Sequence, residues 1–110
     1  TTGLTDLAEI KQQETEIKKK IAIREVEADV DDALSELLST QELLEAAQKE
    51  KLAAEQMESA ERSLFEQGES NLFTVNIRER SSAEAAQREV DALSNYHKAI
   101  ARYRWATATY

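Results

Sequence analysis

The chain of 110 residues contains no cysteine, no proline and only two glycines. The absence of cysteine excludes disulfide bonds and thiolate metal sites. The absence of proline removes the residue that most strongly kinks or ends a helix. Aromatic residues make up only 5% of the chain, and much of its hydrophobic fraction is alanine, so side chains large enough to fill a globular core are scarce. The composition favours long helices over a compact domain.

Long apolar runs are also missing. No stretch of about 18 uninterrupted apolar residues is present, so the sequence predicts no transmembrane helix. The first residues lack the charged and then apolar layout of a secretion signal. We therefore expect any export signal or membrane segment of the parent protein to lie outside this sequence.

Basic residues are outnumbered, and the formal net charge is -8. An anionic surface repels phosphates, which disfavours nucleic acid as a partner. The run Lys18-Lys19-Lys20 is too short to reverse this balance, and it is typical of a solvated helix face.

The helix-forming sequence is interrupted at one place, around Gly68. Glycine readily adopts the left-handed conformation that closes a helix, and Ser70 or Asn71 can cap the next helix. The sequence predicts an all-α fold, a long antiparallel two-helix coiled-coil hairpin that occupies residues 1–110. We expect one helix over 5–67, a tip at 68–70 and a second helix over 71–110.

The first predicted helix begins with Thr5 as its N-cap, and Asp6 and Glu9 suit the positive end of the helix dipole. Apolar residues recur along it at the three- and four-residue steps or whole heptads of a coiled-coil seam. These are Ile23, Val26, Val30, Ala33, Leu37, Leu44, Ala47 and Ala54. A second apolar row, formed by Leu34, Leu38 and Leu52, makes the stripe wider than one partner requires, so we expect hairpins to pack side by side.

Heptads of small and large residues mark the second predicted helix. Alanines recur at Ala85, Ala92, Ala99 and Ala106, and tyrosines at Tyr96, Tyr103 and Tyr110. Alanine lets backbones approach closely, and tyrosine can bury its ring while its hydroxyl stays at a wet boundary. Both rows are therefore predicted to form packing surfaces.

The two predicted helices differ in length, about 90 Å and about 60 Å at 1.5 Å per residue. Folding back at Gly68 places Tyr110 opposite roughly Ala28. Apolar residues nearer the N-terminus then lack a partner in their own chain, and we expect them to bury against another copy or another part of the parent protein. They are Leu4, Leu7, Ile10, Ile17 and Ile21.

Residues suited to catalysis or metal binding form no convincing group. The acidic row Glu25, Asp29, Asp32 and Glu36 lies on one helix face, but carboxylates along a straight helix do not converge on a cation. His97 has no carboxylate or second histidine one helical turn away. The sequence has no glycine-rich phosphate loop and no thiol nucleophile. We expect no catalytic, cofactor or metal site, and a hairpin that is not an enzyme.

The tip carries the candidate functional residues. Leu72, Phe73 and Val75 are predicted to be exposed apolar residues amid mixed charge, which suggests a docking surface. The alternative is that Phe65, Leu72 and Phe73 close the tip as a hydrophobic plug.

These residues resemble the TolC-like outer-membrane efflux proteins. The similarity extends from about Ile21 to Thr109 and includes the turn and the alanine and tyrosine heptads after it. The residues that match are Phe65-x-x-Gly68-x-Ser70-x-Leu72-Phe73-x-Val75-Asn76-x-Arg78-Glu79 and Tyr96-x-x-Ala99-x-Ala101-x-Tyr103-x-x-Ala106-Thr107.

The resemblance implies a hairpin from the second of two internal repeats, a fragment of a larger outer-membrane protein. Three such proteins form a homotrimer whose α-barrel crosses the periplasm, so this segment would be periplasmic. The tips would dock a periplasmic adaptor that couples to an inner-membrane pump. Gly68, Ser70, Leu72 and Val75 match the turn positions used for docking.

The resemblance departs at the tunnel mouth, where the best-known member has two aspartates and this chain has Thr74 and Ile77. No acidic gate is implied here, and closure would involve Asn76, Arg78 or Glu79. Two other interpretations stay open, a structural coiled-coil scaffold and the hairpin of an adaptor protein, although the short β segments expected beside an adaptor hairpin are missing.

Overall fold

A computed structural model describes residues 2–108 as two antiparallel helices, α1 over Thr2–Glu66 and α2 over Leu72–Ala108. The molecule is a rod with extents of 100 × 20 × 13 Å. The prediction of an all-α two-helix hairpin is confirmed. Thr109 and Tyr110, the last residues of the predicted second helix, lie outside the described residues.

The start of α1 differs from the sequence prediction. Thr5 was expected to cap the helix from outside, but the chain is already helical at Thr2, so this prediction is wrong. Gly3 has open space around it, and no proline precedes Thr5, so nothing stops the helix from extending toward the N-terminus.

The interface between α1 and α2 is a regular heptad seam. The predicted seam is confirmed from Val26 to Ala54, where every predicted residue is buried or half-buried. The most buried apolar residues on the two helices are Ala33, Leu44, Ala47, Val75, Ala85, Ala99 and Ala106. The predicted alanine row of α2 therefore faces α1, and Tyr96 and Tyr103 lie half-buried along the same seam.

Ion pairs between the helices establish their register. Arg102 pairs with Glu36, and Arg88 pairs with Glu50. On both helices, the residue of the second pair lies two heptads nearer the tip than the residue of the first pair. In this register the partly buried Leu37 lies level with Tyr103, and Ala33 lies level with Ala106. A layer of large side chains therefore follows a layer of alanines along the seam.

The N-terminal part of α1 extends past α2. Thr107 near the end of α2 lies beside Glu27 and Val30, so Ile23 is beyond the seam and exposed, and its predicted place in the seam is wrong. The five apolar residues predicted to lack a partner are also exposed, as expected. They are Leu4, Leu7, Ile10, Ile17 and Ile21.

Candidate docking site at the hairpin tip

The tip is a short loop, closed on each side by hydrogen bonds typical of helix ends. At the end of α1, Gly68 has φ 77°, and its N–H donates to the Phe65 carbonyl at 3.0 Å. The Glu69 N–H donates to the Leu64 carbonyl at 2.8 Å. These two bonds form a Schellman motif with glycine in the left-handed position, as the sequence predicted.

Asn71 starts the second helix. Its Oδ1 accepts hydrogen bonds from the Thr74 N–H at 2.9 Å and from the Thr74 hydroxyl at 3.1 Å. Of the two capping residues predicted, Asn71 is therefore the N-cap. Because both helix ends are capped within a few residues, the loop has a defined conformation and presents the first turn of α2 at the end of the rod.

The outermost apolar side chains of this turn are open to solvent. Leu72 is 59% exposed and Phe73 is 75% exposed, and Phe65 and Ile77 are also exposed. Leu72 and Phe73 therefore do not form the hydrophobic plug that was the alternative prediction. Ile77 was not among the predicted docking residues, although its position one turn after Phe73 places it on the same face.

The four predicted docking residues are not equivalent. Gly68 and Leu72 are exposed, but Val75 is only 4% exposed, so its prediction as an exposed contact is wrong. The reason is that Val75 lies in the heptad row of Ser82 and Tyr96, which faces α1. Ser70 is half-buried and donates its hydroxyl hydrogen to Glu61 Oε2 at 2.8 Å.

Charged side chains surround the base of the tip. Arg78 Nε lies 3.6 Å from Glu61 Oε1. Arg62 Nη2 lies 3.1 Å from Glu79 Oε1 and 3.7 Å from Glu58 Oε1. Of the residues expected near a gate, Arg78 and Glu79 are thus paired with α1, and Asn76 is exposed.

Ion pairs raise the pKa values of two exposed arginines. The hydrogen bond to Glu79, together with the charge of Glu58, raises the pKa of Arg62. The hydrogen bond to Glu50 raises the pKa of Arg88 in the same way. A cation whose pKa is raised in the folded protein stabilises the fold at every pH below the ordinary pKa of arginine. This contribution is lost only as the pH rises through the raised pKa, so both pairs persist across neutral pH. Salt screens exposed pairs of this kind.

Outside the tip, the described residues form an open groove along the shaft. A groove of about 340 Å³ between the helices, lined in part by Leu43, Ala46 and Ala92, is open to solvent. No group of three or more histidine, aspartate or glutamate side chains among residues 2–108 is placed to hold a metal ion. His97 is exposed, and its ring lies beside that of Tyr96, with centroids 6.2 Å apart.

Neither described helix has the length and apolar content needed to cross a membrane.

Comparison with protein-family models, curated proteins and solved structures finds no match to this chain.

Proposed function

We propose that this chain is a wall hairpin of an outer-membrane efflux or secretion channel and that its tip docks a periplasmic adaptor protein. The observation that carries the proposal is the exposed pair Leu72 and Phe73 at the end of a 100 Å rod. Apolar side chains that stay largely in water at a well-capped turn bury little surface within the hairpin, which favours a role in binding.

The docking surface that we propose contains other residues than the predicted one. It consists of Phe65, Leu72, Phe73 and Ile77, which are all exposed. Gly68 shapes the turn between them, and Glu66 and Glu69 add acidic side chains at the same end. Val75 contributes indirectly, because its burial in the seam anchors the turn that carries Leu72 and Phe73.

A role as a wall element is supported by a second exposed surface, which we call the apolar side. Leu34 shares the heptad position of Arg62, and Leu93 shares that of Glu79. Because Arg62 contacts Glu79, Leu34 and Leu93 lie on the same side of the hairpin. The apolar side comprises Leu34, Leu38 and Leu52 of α1 with Val90 and Leu93 of α2, all of them exposed.

In the shaft, the opposite side of the hairpin carries the Glu36–Arg102 and Glu50–Arg88 pairs, with the exposed Leu43 between them. Two unlike sides suit a closed ring, in which one side of each hairpin meets the other side of the next hairpin. The apolar side supports packing between neighbouring hairpins, and the TolC-like resemblance supplies the expected homotrimeric parent, its inner-membrane pump and the periplasmic location of this segment.

Site-specific crosslinking of the full-length parent protein in its own cells tests the docking proposal. A photoreactive phenylalanine analogue at Phe73 is expected to capture a periplasmic adaptor that carries a long helical hairpin. The matched position is Ser94, which is exposed on the shaft and should capture no adaptor.

Two results would contradict the proposal. Assembled protein that captures no adaptor from residue 73 would favour a coiled-coil scaffold. Capture of an outer-membrane channel from the tip would instead make this chain the adaptor.

A further inference from the structure

Toward the tip, several seam positions carry polar or charged side chains instead of apolar ones. In the shaft, Ala33, Leu44 and Ala47 are buried at seam positions of α1. Closer to the tip, Lys51, Glu58 and Glu61 occupy the equivalent heptad positions and are half-buried. Across from them on α2 lie Arg78, Ser82 and Glu89 at the seam positions. Near the tip, polar contacts therefore join the two helices beside the buried side chains of Val75 and Ala85.

Glu61 takes part in two of these polar contacts. Its side chain is only 12% exposed, and its two carboxylate oxygens bind different parts of the chain. Oε2 accepts the Ser70 hydroxyl hydrogen at 2.8 Å, and Oε1 lies 3.6 Å from Arg78 Nε. One carboxylate on α1 thus holds both the tip loop and the second turn of α2. Hydrogen bonds to a charged acceptor are among the stronger side-chain contacts in proteins.

The neighbouring pairs do not share this property. Arg62 connects Glu58 and Glu79, which joins the helices without reaching the loop. Lys51 connects Glu55 and Glu89 farther down the shaft. Among residues 2–108, Glu61 is the side chain of α1 that hydrogen bonds to the loop and forms an ion pair with α2.

We infer that Glu61 is a positioning residue, which sets the orientation of Leu72 and Phe73 by holding Ser70 and Arg78 against α1. It does not contact a docked partner, because its carboxylate faces the seam below the exposed surface. Its effect on adaptor binding rests on the proposed function, whereas its effect on the order of the tip does not.

Amide hydrogen exchange of the full chain, measured by NMR, tests the inference directly. In Glu61→Ala, exchange at the Gly68, Glu69 and Thr74 amides is expected to be at least about tenfold faster, because both contacts of the carboxylate are lost. Ser70→Ala should produce part of this effect. The matched control is Glu50→Ala, which removes an interhelix ion pair of the shaft and should leave the tip amides unchanged.

Glu61→Gln separates positioning from general stability. Its side-chain oxygen can still accept the Ser70 hydroxyl hydrogen, so slow exchange at Glu69 should be retained. If Glu61→Gln exchanged as fast as Glu61→Ala, or if shaft amides such as that of Ala99 accelerated equally in Glu61→Ala, the inference would be overturned. Unchanged exchange at the tip in Glu61→Ala would overturn it as well.

Adaptor capture from a photoreactive group at residue 73 gives the functional readout. Glu61→Ala is expected to lower the capture yield about tenfold, matching the loss of tip order. An undiminished yield would overturn the effect on docking. If the unsubstituted protein captured no adaptor, the proposed function would fail, and the exchange data alone would decide the role of Glu61.

Discussion

Gly68 shows how one residue allows a long helical chain to reverse. Its positive φ lies in a region that residues with a Cβ adopt only at a cost in free energy. The hydrogen bonds of the Gly68 and Glu69 amides depend on that backbone conformation. A Cβ added there would meet no atom within 4 Å, so the cost of substitution comes from the backbone and not from a clash.

Replacing Gly68 by alanine should lower the free energy of unfolding by about 1–2 kcal/mol, because alanine disfavours the left-handed conformation. Chemical denaturation followed by circular dichroism measures this change. Gly3 is the matched control, since it also has open space but lies within α1, where alanine is the better helix former. Equal stability of Gly68→Ala and the original chain would show that the turn tolerates another conformation.

At the scale of the helices, the seam in the shaft depends on side-chain size. Ala33 and Ala99 are completely buried, and Ala99 lies in the seam between Tyr96 and Tyr103. Close approach of the two backbones at these levels leaves no room for a larger side chain. The same helices carry alanines on their outer faces, so composition alone does not distinguish the two environments.

The substitution Ala99→Leu should destabilise the hairpin by about 1–3 kcal/mol through overpacking of the seam. Ala101→Leu, on the exposed face of the same helix turn, should leave stability nearly unchanged. Urea denaturation of both variants makes the comparison, and a similar stability for the two would contradict the register described here.

At the scale of the whole molecule, an isolated hairpin leaves much apolar surface in water. The apolar side remains uncovered along the shaft, and the N-terminal part of α1 adds a second uncovered stretch. Exposed apolar surface of this extent favours association between copies.

Replacing Leu38 and Leu52 together by lysine should weaken self-association of the chain at least about tenfold. The reason is that both leucine side chains are removed from water when the proposed side-by-side contact forms. Sedimentation velocity over a range of concentrations measures this, and circular dichroism should show unchanged helix content.

The control for this pair is Ala101→Lys, because Ala101 is exposed on the outer face of α2, away from both sides of the hairpin. Loss of association in the control, or its persistence in the double variant, would argue against the apolar side as the contact.

The sequence alone was sufficient for the local features of this protein. Gly68 and Asn71 mark the turn because glycine allows positive φ and the asparagine side chain caps a helix, and both effects act within a few residues. The seam from Val26 to Ala54 and the alanine row of α2 were also predictable, because heptad spacing places them on one face. The unequal helix lengths followed from counting residues on each side of the turn.

The tertiary structure decided which tip residues remain available. Val75 belongs to the seam and Leu72 to the surface, because α2 packs with the heptad row of Val75 and Ser82 toward α1. The contacts of Glu61 with Ser70 and Arg78 likewise exist only when the two helices meet in this register. Long-range pairing sets that register through the fit of large and small side chains, and no local pattern around Glu61 specifies its partners.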